Sequence, residues 1–141
     1  MAIQQGLTNS FKQEMLQAGQ NLATDTLRMA LYTAFADIGP TTAVYTTANE
    51  VVGTGYAAGG ELVTGAIISV DVQSGTVYVN FDNVSWPGAN FTARGALIYN
   101  VTRSNKSVAV LDFGSDKAFT STSNTVTMPA NTATTALIRF P

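Results

Sequence analysis

Asp112 and Asp116 could share a hard cation such as calcium, and Gly53-Thr54-Gly55-Tyr56-Ala57-Ala58-Gly59-Gly60 could cradle a phosphate. Neither pattern is complete. A calcium site draws on about six to eight oxygen ligands, and two carboxylates at this spacing supply few of them. A charged turn in which Asp116 and Lys117 meet solvent accounts for them better. A Walker loop ends in Gly-Lys-Ser/Thr, and the glycine run holds no Lys. A Rossmann turn follows a strand and opens a helix, whereas this run leads into β-patterned sequence. Its glycines fit a flexible or close-packed loop, because they permit positive φ and close backbone approach. Asp112-Phe113-Gly114 matches a fragment of the kinase signature, and the rest of that signature is absent.

The chain contains neither Cys nor His. Ser-His-Asp and Cys-His nucleophilic catalysis, imidazole acid–base chemistry and thiolate or imidazole zinc sites are therefore excluded. Disulfides are excluded too, so stability rests on packing and assembly. Glycoside hydrolysis by two carboxylates needs a pair flanking a cleft, and the nine Asp and Glu are scattered without a paired motif. The expectation is a protein that is not an enzyme, with no catalytic residues, no cofactor and no metal.

Other residues could bind. Trp86-Pro87-Gly88 lies between two strand-like runs with Phe91 close behind. Tryptophan is a common interface anchor, but it also plugs the open end of a β-sandwich, and the second role is the favoured one. Arg94 and Arg139 lie in apolar strands, so each needs a partner if buried; a paired core arginine and an intersubunit salt bridge are equally open. Asn83, Asn90, Asn100 and Asn105 head Asn-x-Ser/Thr sequons. A chain rich in Thr, Ser and Asn produces such sequons by chance, so no glycan is expected.

The elements that carry these residues are set by composition and period. The 141 residues suit one domain, 1–141, with one core. Hydrophobic residues make up 45%, enough to fold. Charged residues are only 11%, against an ordinary share of about 25%. The surface is therefore largely uncharged, with twenty Thr in the chain, and is weakly protected against association. Net charge is -2 and no basic stripe is present, which argues against nucleic acid. No apolar run is long enough to span a membrane as a helix. Met1-Ala2-Ile3-Gln4-Gln5-Gly6 lacks the basic and apolar regions of a signal peptide, and synthesis in a cytosol is expected.

Residues 1–22 read as a short amphipathic helix. Leu7, Phe11 and Met15 recur at i, i+4 and i+8, and Leu16, Ala18 and Leu22 widen the stripe. Ser10 and Gln13 fit a capping box, and Gly19 a C-terminal stop. Such a helix must dock, either on its own sheet, the favoured case, or as an arm onto a neighbouring subunit. The period then changes to 2. Leu27, Met29 and Leu31 alternate with Arg28, Ala30 and Tyr32 in a half-buried strand over residues 25–33. Residues 34–60 form a long Gly/Thr-rich loop, and a connection of that length is usually functional. Residues 62–72 and 76–82 flank the turn Gln73-Ser74-Gly75, and residues 91–100 and 107–114 form a second hairpin. Residues 124–128 and 135–140 add strands around Pro129-Ala130-Asn131. The fold class expected is mainly β: an antiparallel β-sandwich or jelly-roll-like barrel with a short N-terminal helix.

Two runs carry a resemblance: Phe91-Thr92-Ala93-Arg94-Gly95-Ala96-Leu97-Ile98-Tyr99-Asn100 and Val108-Ala109-Val110-Leu111-Asp112-Phe113-Gly114-Ser115-Asp116-Lys117. Together with Gly6-Leu7-Thr8-Asn9-Ser10-Phe11-Lys12, Ala30-Leu31-Tyr32-Thr33, Tyr45-Thr46-Thr47-Ala48-Asn49-Glu50-Val51 and Gly53-Thr54-Gly55-Tyr56, they resemble small virion structural proteins of tailed bacteriophages. The resemblance implies a capsid decoration (cement) protein, made in the host cytoplasm and bound at the capsid surface over contacts between major capsid proteins. Its partners would be the major capsid protein and its own copies, as a homotrimer. Leu7, Phe11, Met15, Tyr45, Tyr56 and Trp86 are the candidate interface residues. A tail, neck or fibre component is the first alternative. A carbohydrate-binding β-sandwich module, using Trp86, is the second.

Overall fold

The computed structural model describes residues 2–141, so the first residue of the expected 1–22 arm lies outside them. Strands β1 (Gly6–Leu7) and β2 (Leu27–Tyr32) flank the helix α1 (Asn9–Leu16). After a long irregular segment come β3 (Glu61–Val63), β4 (Ile67–Asp71), β5 (Thr76–Asn80) and β6 (Val84–Ser85). The long hairpin β7 (Phe91–Asn100) and β8 (Lys106–Phe119) is followed by β9 (Thr125–Val126) and β10 (Ile138–Phe140). The fold is mainly β, with all paired strands antiparallel and one short helix. A five-stranded sheet has the order β1-β8-β7-β2-β3, a three-stranded sheet the order β10-β5-β4, and β6 pairs with β9. This is a β-sandwich-like arrangement, as expected.

Strand β2 sits inside the large sheet, and its register shows why it is buried on both faces. Met29 pairs with Ile98 and Leu31 with Ala96, all on the face that meets the small sheet and helix. Ala30 pairs with Leu97, and Tyr32 lies on that same opposite face. That second face carries its own core with Ile3, Ala36, Ile38, Tyr99 and Val110. The half-buried strand read from the alternation is thus corrected: the segment over residues 34–60 folds back and covers the side expected to face water.

The helix starts later than its apolar spacing suggests. Thr8, with extended backbone, is the N-cap, and its Oγ1 accepts the Phe11 N–H at 3.2 Å. The Ser10–Gln13 capping box is therefore not used, and Leu7 belongs to β1, opposite Ala109. Only Phe11 is buried within α1; Leu16 is 91% exposed. Glu14 pairs with Lys106 at 2.7 Å and Gln20 donates to Glu14 and to the Ser107 carbonyl, which ties the helix region to β8. The docking is onto the chain's own sheet, the favoured reading.

The expected strand over residues 62–72 is two strands in different sheets. Gly65, at φ 71°, breaks it, and a Cβ there would meet the Asp82 carboxylate. Residues 124–128 and 135–140 do not pair with each other: β9 pairs with β6, and β10 with β5. Strand β8 runs five residues beyond the expected end at Gly114 to Phe119. The excursion Phe113-Gly114-Ser115-Asp116 stands opposite Arg94 alone, between the pairs Ala93–Lys117 and Gly95–Asp112.

Candidate interaction surface

The segment over residues 34–60 is held by Glu50, which is buried. Its Oε1 accepts the Tyr45 hydroxyl at 2.6 Å, and its Oε2 accepts the Tyr56 hydroxyl at 2.5 Å and the Gly59 N–H at 2.8 Å. Tyr56 in turn accepts the Leu31 N–H at 2.9 Å. Tyr99 donates to the Gly59 carbonyl and Arg28 to the Gly60 carbonyl, both at 2.6 Å. Burial pushes the Tyr32, Tyr45 and Tyr56 phenols well above their usual range, and the Glu50 charge pushes them the same way. Burial also raises Tyr99. The phenols are thereby held as neutral donors. The glycine run is close-packed: a Cβ on Gly60 would stand 1.7 Å from the Met29 carbonyl oxygen, and φ there is 79°. Gly55, at φ 82°, is also close-packed, since a Cβ there would stand 2.6 Å from the Gly88 carbonyl oxygen. Tyr45 and Tyr56 thus use their hydroxyls inside the chain. The segment expected as a long Gly/Thr-rich loop is a second cover on the sheet, with its glycine run close-packed.

Two more candidates are internal. Phe11 and Trp86 are both fully enclosed, so neither is available to a partner in this conformation. Trp86 meets Phe119 edge-on at 5.7 Å, and Phe119 stacks on Phe91 at 5.0 Å. This is the plug role favoured from the sequence, and it removes the exposed Trp that the sugar-binding reading needs. The indole N–H has no hydrogen-bond partner among the described residues.

Leu7 and Met15 stay near the surface. Leu7 lines an open cleft of about 690 Å³ with Leu111, Leu137 and Arg139. Met15 lines an apolar groove of about 530 Å³ between α1 and the small sheet, with Leu16, Leu22, Ile68, Val77 and Phe140. Strand β4 forms the free rim of that sheet, and Ile67, Ile68, Val70 and the following Val72 are all exposed. The sequence pointed to the Met15 side of this groove and missed β4. Its signal was the aliphatic run Ile67-Ile68-Ser69-Val70-Asp71-Val72, which breaks strict alternation.

Several charged groups are engaged within the chain. Arg94 is half-buried and pairs within the chain with the exposed Asp116 at 2.9 Å. Asp112 accepts the Gly114 N–H. Arg139 is exposed and donates to the Thr134 carbonyl. Asp25 accepts from Arg103 Nε and Asn100 Nδ2, both at 2.8 Å. Burial would raise the Asp25 carboxyl, but the Arg103, Asn21 and Asn100 hydrogen bonds outweigh it and hold it below its usual value. Asn100 is fully buried, so its sequon is closed to modification in the folded chain.

Among the described residues no three His, Cys, Asp or Glu side chains gather as a metal site, and no helix is long and apolar enough to cross a membrane. Comparison with protein-family models, with curated proteins and with solved structures finds no match.

Proposed function

We propose that the chain is a structural subunit of a bacteriophage particle, a capsid decoration (cement) protein that stabilises contacts between major capsid proteins. The observation that carries this reading is the apolar groove of Met15, Leu16, Leu22, Ile68, Val77 and Phe140, continued by the exposed aliphatic rim of β4. Apolar surface of that kind on a chain with 11% charged residues is surface to be covered. The resemblance of its segments to small virion proteins supports the same reading. Contacts of modest strength, repeated at every symmetry-equivalent site of a shell, add up through multivalency. The contact region is the groove, to which the N-terminal segment contributes Met15, Leu16 and Leu22, in place of the 34–60 loop, which is committed to the chain's own core.

The test is binding of the full-length chain to purified shells lacking it, with and without Leu16→Glu. Leu16 is almost wholly exposed, so this charge enters the groove without disturbing the core. Saturable binding that Leu16→Glu weakens is expected. Absence of the chain from pelleted shells at saturation contradicts the proposal. Binding confined to tails or necks would make it a tail or neck component.

A further inference from the structure

We infer that two copies of this chain pair through β4, edge to edge and antiparallel, joining three strands from each into one continuous sheet. Among the described residues, β4 has β5 as its sole strand partner, and their register runs from Ile67–Asn80 to Asp71–Thr76 without a shift. Sheet edges expose unpaired backbone N–H and C=O groups, and proteins blunt them with short strands, charges, prolines or bulges. The other edges of this fold are blunted, including the outer edge of β8 beyond Val110, which is broken by the bulge at residues 113–116 and carries Asp112, Asp116 and Lys117. Strand β1 is two residues long; β3 is three and carries Glu61; β10 is three, carries Arg139 and runs into Pro141. The β6–β9 pair is two residues deep. Strand β4 is five residues long, and the stretch over residues 66–72 has no Lys, Arg or Pro. Ile67, Ile68, Val70 and Val72 are 53%, 51%, 61% and 86% exposed.

The occupant is a second copy because β4 is complementary to itself. Directly opposed residues of an antiparallel pair share a face. The two-fold register that uses the whole strand sets Ser69 opposite Ser69, Ile68 opposite Val70, and Ile67 opposite Asp71. The strand's one charge, Asp71, then lies at opposite ends of the ladder in the two copies, and like charges never face each other. On the groove side, the Ile68–Val70 pairs extend the apolar row of Val77 and Val79. The pairing does not depend on the particle assignment above. It closes at two copies, so it is a different contact from the trimer implied by the resemblance.

The chain has no cysteine, so an introduced thiol is the only one present. Full-length wild type should sediment as a concentration-dependent dimer, and Ser69→Cys should become a disulfide-linked dimer on mild oxidation. Ser74→Cys should not, because each Ser74 lies in the turn beyond Asp71, and this register sets the two Asp71 positions, at opposite ends of the ladder, already about 13 Å apart along the strands. Val70→Lys should raise the dimer dissociation constant at least about tenfold, since an isologous contact meets each substitution twice, with the circular dichroism spectrum unchanged. If Val70→Lys loses that spectrum, Ile67→Lys on the other face of β4 carries the same expectation. A monomer or a trimer at all concentrations, crosslinking at Ser74 equal to that at Ser69, or a folded lysine variant of undiminished affinity would overturn the pairing.

Discussion

The Tyr45 hydroxyl donates to Glu50 Oε1 at 2.6 Å while the Tyr45 ring stacks on Tyr99 with centroids 4.6 Å apart. One residue thereby fastens the irregular 34–60 segment to the sheet through both its polar and its apolar parts. Glu50 is the common acceptor of the network, with Tyr56 and Gly59 as its other donors. Glu50→Ala leaves those donors unpaired in a buried setting, and hydrogen bonds to a charged acceptor contribute about 1.5–3 kcal/mol each. Urea unfolding should show Glu50→Ala losing at least about 3 kcal/mol. Glu50→Gln, which keeps one acceptor oxygen but presents an amide donor to donors, should fall between it and wild type. A loss below about 1 kcal/mol for Glu50→Ala would show that the network does not hold the segment.

The same network sets an alkaline limit. Tyr32, Tyr45, Tyr56 and Tyr99 all have phenol pKa values raised in the folded state, chiefly by burial. Above the unfolded value of about 10, the unfolded chain releases protons that the folded chain retains, so stability falls as pH rises. Tyrosinate absorbance should therefore appear together with loss of circular dichroism as pH is raised past that value. Ionisation of most tyrosines in a chain that keeps its native spectrum would contradict the burial.

On the acid side the sign reverses. The Asp25 carboxyl is held below its usual value, so its contribution is complete above the unfolded pKa of about 3.9 and is lost as pH falls through the lower folded value. Asp25→Asn should lower the melting temperature near neutral pH and bring the variant and wild-type curves together in acid. A constant gap between the curves down to pH values well below the carboxylate range would remove Asp25 from this role.

The N-terminal segment offers a sharp contrast. Phe11 is fully enclosed and Leu22 is also in the core, whereas Leu16 is 91% exposed. Phe11→Ala should cost about 3–5 kcal/mol, and Leu16→Ser should stay within about 0.5 kcal/mol. Removal of residues 1–22 should unfold the chain instead of yielding a folded subunit without an arm. A truncated chain with native thermal unfolding would restore the arm.

Period-2 patterning made the β class, the β7–β8 hairpin and the core of β2 legible, because side-chain alternation is a local property of a strand. What alternation does not encode is the cover on each face. Tyr32 reads as the polar side of β2, yet its hydroxyl finds the Thr46 carbonyl at 2.6 Å and its ring joins a second core. The Leu7-Phe11-Met15 spacing is genuine helical period, but Thr8 supplies the cap and moves Leu7 into a strand. Trp86 as a plug was legible from its place between strands. The Glu50 network was not, because its donors come from Tyr45, Tyr56 and Gly59 in a segment with no period. The β4 edge was hidden for a related reason: strand order in a sheet is a non-local fact.

The central claim, membership of a virus particle, is tested most directly by counting. Quantitative mass spectrometry of gradient-purified particles, read against the major capsid protein, gives the copy number of this chain. A copy number comparable to that of the major capsid protein is the result expected of a cement subunit. Presence in the soluble lysate with none in the purified particles would contradict the account.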